Sequence, residues 1–311
     1  MRHFLDIPDH DVPTLRRVLD LAFELRAQRR AGVGNAALLR GKTAALLFEK
    51  PSLRTRVSFE QAMYELGGRA IVLAGAEVGI GTRESPADIA RVLSGMVHGI
   101  VARVFAHQKL QELASHASIP VVNALSDDSH PCQALADLMT LMDEFGKDLT
   151  GRTLTFVGDG NNVARSLAHL CARLGVAFVL ACPEGYELEA SLFDSLRTQF
   201  PKAQLSTCRD PREAVRRADA IYTDTFVSMG QEAEKERRLH AFKAYQLNGE
   251  LIAAAPPHAI VLHCLPAYRG IEITDEAMDG PRSRVFPQAH NRLHVQKGLL
   301  ALLMGEDAQG R

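Results

Sequence analysis

The chain of 311 residues is 46% hydrophobic and 23% charged, with a formal net charge of −1. This is the balance of a soluble globular protein with full cores, and its length favours two domains over one. It offers no field to recruit nucleic acid or an anionic membrane, no apolar run approaches the ~20 residues of a bilayer span, and no signal-peptide pattern opens the chain. The cysteines, at 132, 171, 182, 208 and 264, are odd in number and form no C-x-x-C pair. They read as reduced thiols, and a cytoplasmic protein is expected.

Along the chain, short β-like runs alternate with amphipathic stretches. Strands are expected at 43–48, 70–74, 99–105 and 120–124, then at 153–158, 177–182, 204–208, 220–224 and 259–264. Helical patterns such as Leu15-Val18-Leu19-Ala22-Leu25 and Leu135-Leu138-Leu141-Met142 lie between them. This alternation predicts an α/β fold of two doubly wound domains, each a parallel sheet flanked by helices. The polar segment Gly146 to Gly151 splits the strands into two similar sets. Domains are therefore expected at 1–147 and 148–288. Leu293 to Met304 reads as a long helix, so 289–311 is expected to pack back on the first domain.

The first chemistry-bearing segment is Phe48-Glu49-Lys50-Pro51-Ser52-Leu53-Arg54-Thr55-Arg56. It lies between the apolar run Ala44 to Phe48 and the periodic helix Phe59-Ala62-Met63-Leu66. Free backbone N–H groups and the positive end of a helix dipole meet there. Two hydroxyls and two guanidiniums at that spot suit a dianionic phosphate. The plainer alternative is a Ser N-cap with solvated arginines. Arg103 interrupts the apolar run Ile100 to Phe105, where a charge is costly unless paired. A ligand-binding arginine and a buried ion pair are both open there.

His130-Pro131-Cys132-Gln133 follows a strand and opens a helix running to about Phe145. Pro131 suits the first helical turn. His130 and Gln133 share a helix face, where the imidazole can donate to a carbonyl oxygen and the amide can contact an NH₂ group. Phe156 to Ala164 invites a dinucleotide reading, but Val163 stands where G-x-G-x-x-G needs its third glycine. No cofactor is expected. Asp224 to Gln231 puts an acid, a hydroxyl and a glycine at a strand end, a plausible amine-recognising loop. His263-Cys264-Leu265-Pro266 suggests a metal or a thiol nucleophile. Adjacent strand residues point to opposite faces, so no metal site is expected there.

Together these segments resemble the aspartate/ornithine carbamoyltransferase family over nearly the whole chain. Ser-x-Arg-Thr-Arg, His-Pro-Cys-Gln with Leu135-Ala136-Asp137, Asp-x-x-x-Ser-Met-Gly, His-Cys-Leu-Pro and Asn291-Arg292-Leu293-His294 occur in the family's order. The resemblance implies two small-molecule substrates, carbamoyl phosphate and L-ornithine, with ornithine indicated by Ser228-Met229-Gly230. It implies carbamoyl phosphate on Ser52, Leu53, Arg54 and Thr55, with Arg103, His130 and Thr55 polarising its carbonyl. Gln133 would hold the carbamoyl nitrogen and Arg292 would return on the last helix. Asn162, Asp224, Ser228 and Met229 would hold the ends of ornithine. Cys264 and Leu265 would meet the δ-amine and the carbamoyl group, and Arg103, His130 and Cys264 would be the catalytic set. A homotrimer is also implied. Arg56 reads as structural.

Two departures from the family pattern stand out. Leu53 replaces a frequent Thr, and Gly79 stands where relatives often supply Gln or His across a subunit boundary. His290 replaces a frequent Glu. The alternatives to an ornithine enzyme are a carbamoyltransferase for another amine, a silent ligand-binding paralogue and a nicotinamide-dependent oxidoreductase.

Overall fold

The computed structural model describes residues 1–228 and 230–305. The first sheet contains β1 (Thr43–Phe48), β2 (Arg69–Ala74), β3 (Gly99–Arg103) and β4 (Val121–Leu125), in the order β2-β1-β3-β4. The second contains β5 (Thr153–Val157), β6 (Ala177–Ala181), β7 (Leu205–Cys208), β8 (Ala220–Thr223) and β9 (Ile260–His263), in the order β7-β6-β5-β8-β9. Every pairing within both sheets is parallel. Each expected strand is present, with small shifts at the ends.

The sequence dictates this arrangement directly. Ala44 to Leu47 and Gly99 to Arg103 are buried throughout, as expected of central parallel strands covered on both faces. The edge strand β2 is mostly exposed or half-buried. In each sheet the winding direction reverses once, between β1 and β3 and between β5 and β8. Loops leaving the carboxyl ends of such strands diverge and open a crevice.

The chain divides into two compact units. One comprises residues 1–136 with the chain from His290 onward, and the other is Asp137–Ala289. Both passages between units run inside helices, Pro131–Phe145 and Val285–Met304, while the Gly146 to Gly151 segment lies within the second unit. The last helix begins earlier than its apolar pattern suggests. Pro287 lies in its first turn, where a missing N–H removes no intrahelical bond.

In the first unit Ile89, Ile100, Val104, Leu110, Leu113 and Val121 form the core beneath the sheet. The C-terminal helix packs on the helix Val12–Arg30 at Gly298. A Cβ there would lie 2.6 Å from the Val18 carbonyl oxygen and 2.9 Å from the Ala22 nitrogen. Beside it the fully buried Lys297 donates to Glu65 and Asn35, each at 2.8 Å. In the second unit Val157, Val215, Ile221, Phe226, Phe242 and Val261 form the core.

Since the obstacle at Gly298 is backbone that cannot swing aside, Gly298→Ala should destabilise the protein by about 1–3 kcal/mol through overpacking. Thermal unfolding would register this as a lowered Tm, and an unchanged Tm would contradict the close packing.

Candidate active site

In the first unit, β1 ends at Phe48 and the helix Leu53–Glu65 starts four residues after Glu49, with Ser52 as its N-cap. The Ser52 Oγ accepts the Thr55 N–H at 3.3 Å. The cap thus places Arg54 and Thr55 in the first turn, beside the free N–H groups of the helix start. Thr55 is fully buried, and Arg292 Nη2 donates to its Oγ1 at 2.9 Å. Leu53 is 73% exposed. Arg56 pairs with Glu60 on the exposed helix surface, a contact of little energetic weight.

Arg103 is the last residue of β3, in register with Phe48 of β1. It is buried, as is neighbouring Lys50, whose Nζ lies 4.3 Å from the centroid of the Phe105 ring. Burial, and then the charge of Arg103, lowers the pKa of Lys50.

His130 and Gln133 follow β4. Ser126 and Ser129 close the intervening turn, with Ser126 N–H donating to the Ser129 carbonyl at 3.0 Å. Asn123 holds it from below through Ser129 Oγ at 3.0 Å. The His130 carbonyl takes the first bonds of the helix Pro131–Phe145, from the N–H groups of Gln133 and Ala134. Both side chains are buried. Burial, followed by the charges of Arg292, Arg103 and Arg54, pushes the His130 pKa well below the usual imidazole range. The structure thus gathers three guanidiniums around one neutral imidazole at the carboxyl edge of the sheet.

In the second unit, the loops after β5 and β8 meet. Asn161 caps the helix Asn162–Leu174, its Oδ1 accepting from Val163 and Ala164 at 3.0 Å. Its Nδ2 donates to Asp224 Oδ2 at 2.8 Å. Asp224 Oδ1 accepts the Thr225 N–H at 2.8 Å. Asn162, the expected ligand residue, is the first residue of that helix and is half-buried. Ser228 N–H donates to Gln231 Oε1 at 3.0 Å. Met229 lies outside the described residues.

The His263–Cys264 geometry differs from the strand argument made above. β9 ends at His263, so face alternation no longer applies to Cys264. Donor atoms of Asp224, His263 and Cys264 lie within 4.8 Å of one another. Both nitrogens of His263 are nevertheless engaged. Nδ1 accepts the Leu265 N–H at 2.8 Å, which leaves the ring proton on Nε2, 3.1 Å from Glu272 Oε1. No imidazole lone pair remains for a metal. Burial, and then the carboxylate of Asp224, drives the Cys264 pKa well above the usual thiol range, so the group is a neutral thiol and not a thiolate nucleophile. Leu265 itself adopts φ 59°, the left-handed region that non-glycine residues rarely enter.

Sequence reasoning missed Asn161, Tyr222 and Gln288, and it gave Asp137 no role. An Asn directly before a helical run is a capping signal, so Asn161 was within reach. The buried bonds of Tyr222 and Gln288 to Asp137 join residues 85 and 151 positions apart, which no local pattern announces.

One α/β unit thus carries Arg54 and Thr55 at a capped helix start with Arg292 against them, and the other carries Asp224, His263 and Cys264 together. Residues 2–143 match the aspartate/ornithine carbamoyltransferase carbamoyl-P binding domain, and residues 150–303 match the Asp/Orn binding domain of the same family. The chain belongs to the aspartate/ornithine carbamoyltransferase family. An ornithine carbamoyltransferase of Methanopyrus kandleri is 48% identical over 305 residues, covering 97% of each chain. One from Thermus thermophilus is 48% identical over 303 residues, again covering 97% of each. The solved ornithine carbamoyltransferase of Pyrococcus furiosus superposes with a TM-score of 0.94 at 45% identity, covering 98% of this chain and 97% of that one.

The depressed His130 pKa has a signed consequence. The unfolded imidazole takes up its proton near pH ~6.5 while the folded one does not, so the unfolded state binds more protons below that pH. Stability should therefore fall on acidification from about pH 6.5 towards 5. His169 and His294, each lowered to about 4 mainly by burial, act in the same direction. Urea unfolding across this range gives the slope, and NMR of the His130 ring should show no titration between pH 5 and 8. A His130 resonance titrating near its free value would refute the neutral-imidazole site.

Proposed function

We propose that the protein is an L-ornithine carbamoyltransferase, transferring the carbamoyl group of carbamoyl phosphate to the δ-amine of L-ornithine to give L-citrulline and phosphate. The observation that carries this reading is the capped helix start at Ser52, with Arg292 donating to the buried Thr55 in its first turn. The relatives named above add support.

The phosphate of carbamoyl phosphate rests on Ser52, Leu53, Arg54 and Thr55, where the N–H groups of the first helical turn and the Arg54 guanidinium meet it. Arg292 bonds Thr55 and brings a further positive charge. Thr55, Arg103 and His130 aim donors at the carbonyl oxygen. They stabilise it most when it becomes an oxyanion in the tetrahedral intermediate. A neutral His130 donates without being a proton source, and Gln133 holds the carbamoyl nitrogen. Asn162, Asp224, Ser228 and Met229 take the α-amino and α-carboxyl ends of ornithine, while Cys264 and Leu265 meet the reacting groups. The uncharged δ-amine attacks the carbonyl carbon, and phosphate leaves with the C–O bonding pair, taking up the proton that the δ-nitrogen loses. No cofactor or metal is required.

The carbamoyl phosphate domain is 1–147 with 289–311, and the ornithine domain is 148–288. The enzyme works in the cytoplasm as a homotrimer. Leu53, Val57 and Tyr64 on one helix and Ile71 on β2 are exposed apolar residues of the first unit that suit contact with another copy. Among the described residues, no helix is long and apolar enough to cross a membrane.

Purified protein supplied with ornithine and carbamoyl phosphate should form citrulline, and failure to do so overturns the reading. Arg54→Ala should cost on the order of 3–5 kcal/mol of transition-state stabilisation through loss of a desolvated charged contact, with the fold retained. Near-normal carbamoyl phosphate affinity in that variant would be inconsistent with the phosphate site. Asp224→Asn should weaken norvaline, a non-reacting ornithine analogue, by roughly 2–4 kcal/mol and leave carbamoyl phosphate binding little changed. Calorimetric titration of both ligands on the one variant separates the two sites, and the opposite pattern would reverse the domain assignment.

A further inference from the structure

The loops that follow β5 and β8 are tied together by a side chain that the proposed mechanism does not use. Asn161 stands directly before the helix Asn162–Leu174, and its Oδ1 accepts the N–H groups of Val163 and Ala164, each at 3.0 Å. Those bonds fix which end of the amide is oxygen, so the NH₂ end points away from the helix start. It donates to Asp224 Oδ2 at 2.8 Å, while Asp224 Oδ1 accepts the Thr225 N–H at 2.8 Å. Asp224 is buried, and among the described residues it forms no ion pair. Two residues before Asn161 and two after Asp224 lies a second tie. There the buried Arg238 pairs with Asp159 and donates from Nε to the Phe226 carbonyl at 2.6 Å. Gly160, between Asp159 and Asn161, is pressed against a third segment, since a Cβ there would lie 2.5 Å from the Leu188 nitrogen.

We propose that Asn161 is a positioning residue of the amine site: its amide, oriented by the helix cap, holds the Asp224 carboxylate in the direction that receives the substrate's α-ammonium group and sets its distance from Asn162. The inference rests on the reading of Asn162 and Asp224 as groups that hold that end of ornithine. A carboxylate has about four acceptor positions, and the bonds from Asn161 and Thr225 give the unfilled ones a fixed direction. A charge-assisted hydrogen bond weakens steeply when misaligned, so an untethered carboxylate would hold the same ammonium less well. Orienting Asp224 during folding also removes that ordering cost from the binding step. The capping and positioning roles are separable. Ser and Asp cap a helix about as well as Asn, but neither carries the NH₂ group that reaches Asp224.

The test is a double-mutant cycle between Asn161→Ser and Asp224→Asn, read as kcat/KM for ornithine and as norvaline affinity by calorimetric titration. Asn161→Ser keeps a capping oxygen, so its Tm should stay close to that of the wild type. It should nevertheless lower kcat/KM for ornithine by about tenfold or more, the effect of losing a hydrogen bond to a charged group, and leave the KM for carbamoyl phosphate unchanged. Norvaline affinity should fall in parallel. If Asn161 acts through Asp224, the two changes are not additive, and adding Asn161→Ser to Asp224→Asn should cost less than about twofold. Wild-type constants in Asn161→Ser overturn the proposal. So does a tenfold loss repeated in full on the Asp224→Asn background, since a loop merely loosened at its helix cap would weaken the site whatever residue stands at 224. If Asn161→Ser does not fold, Asn161→Asp, which also caps, takes its place in the same cycle with the same outcomes. Wild-type protein that forms no citrulline would instead sink the functional reading on which this inference rests.

Discussion

Three guanidiniums held about one buried imidazole are a repulsive arrangement, and the first unit is organised around sustaining it. Like charges in a low-dielectric crevice raise the energy of the folded chain until an anion neutralises them. The repulsion is contained because each charge is fixed by a different element. Arg54 sits on a capped helix start, Arg103 at a strand end and Arg292 on the C-terminal helix. That last helix reaches its place through the close approach at Gly298 and the buried Lys297–Glu65 pair. Burial, and then the same positive field, keeps His130 uncharged.

The second unit solves a different problem with the same topology. Its winding also reverses once, between β5 and β8, and the chain that follows β8 and β9 brings together an acid, an imidazole and a thiol, Asp224, His263 and Cys264. Asp224 is anchored by Asn161 and by its own loop. The Asp137–Tyr222–Gln288 bonds give these buried polar groups a fixed orientation without exposing any of them to water. Buried polar networks that are fully bonded confer such rigidity, whereas partly bonded ones are costly.

The fold was largely legible because both sheets are parallel and buried, so each strand announces itself as a short apolar run bounded by turn residues. The residues after strand ends were legible for a related reason: Ser52, Arg103, His130, Asp224 and Cys264 are polar interruptions at the ends of such runs. Two kinds of information were hidden. A continuous helix can pass from one compact unit to another with no break in its pattern, as in Pro131–Phe145. Long-range side-chain bonds, such as Tyr222 to Asp137, depend on which strands become neighbours, and that is a property of the sheet order and not of any local window. His263 and Cys264 illustrate a third limit, since one residue's difference in where a strand stops decides whether alternation applies.

Leu265 occupies a left-handed backbone conformation that costs a non-glycine residue on the order of 1–3 kcal/mol, and it persists only because its surroundings over-determine it. Those surroundings are few: the Leu265 amide on His263, the His263 ring on Glu272, and the Tyr268 amide on the same carboxylate. The loop thus behaves as a latch under tension, with its catch two side chains deep in the protein. In genetic terms, lesions at His263 or Glu272 would act first on the backbone of this loop, at a residue neither of them replaces.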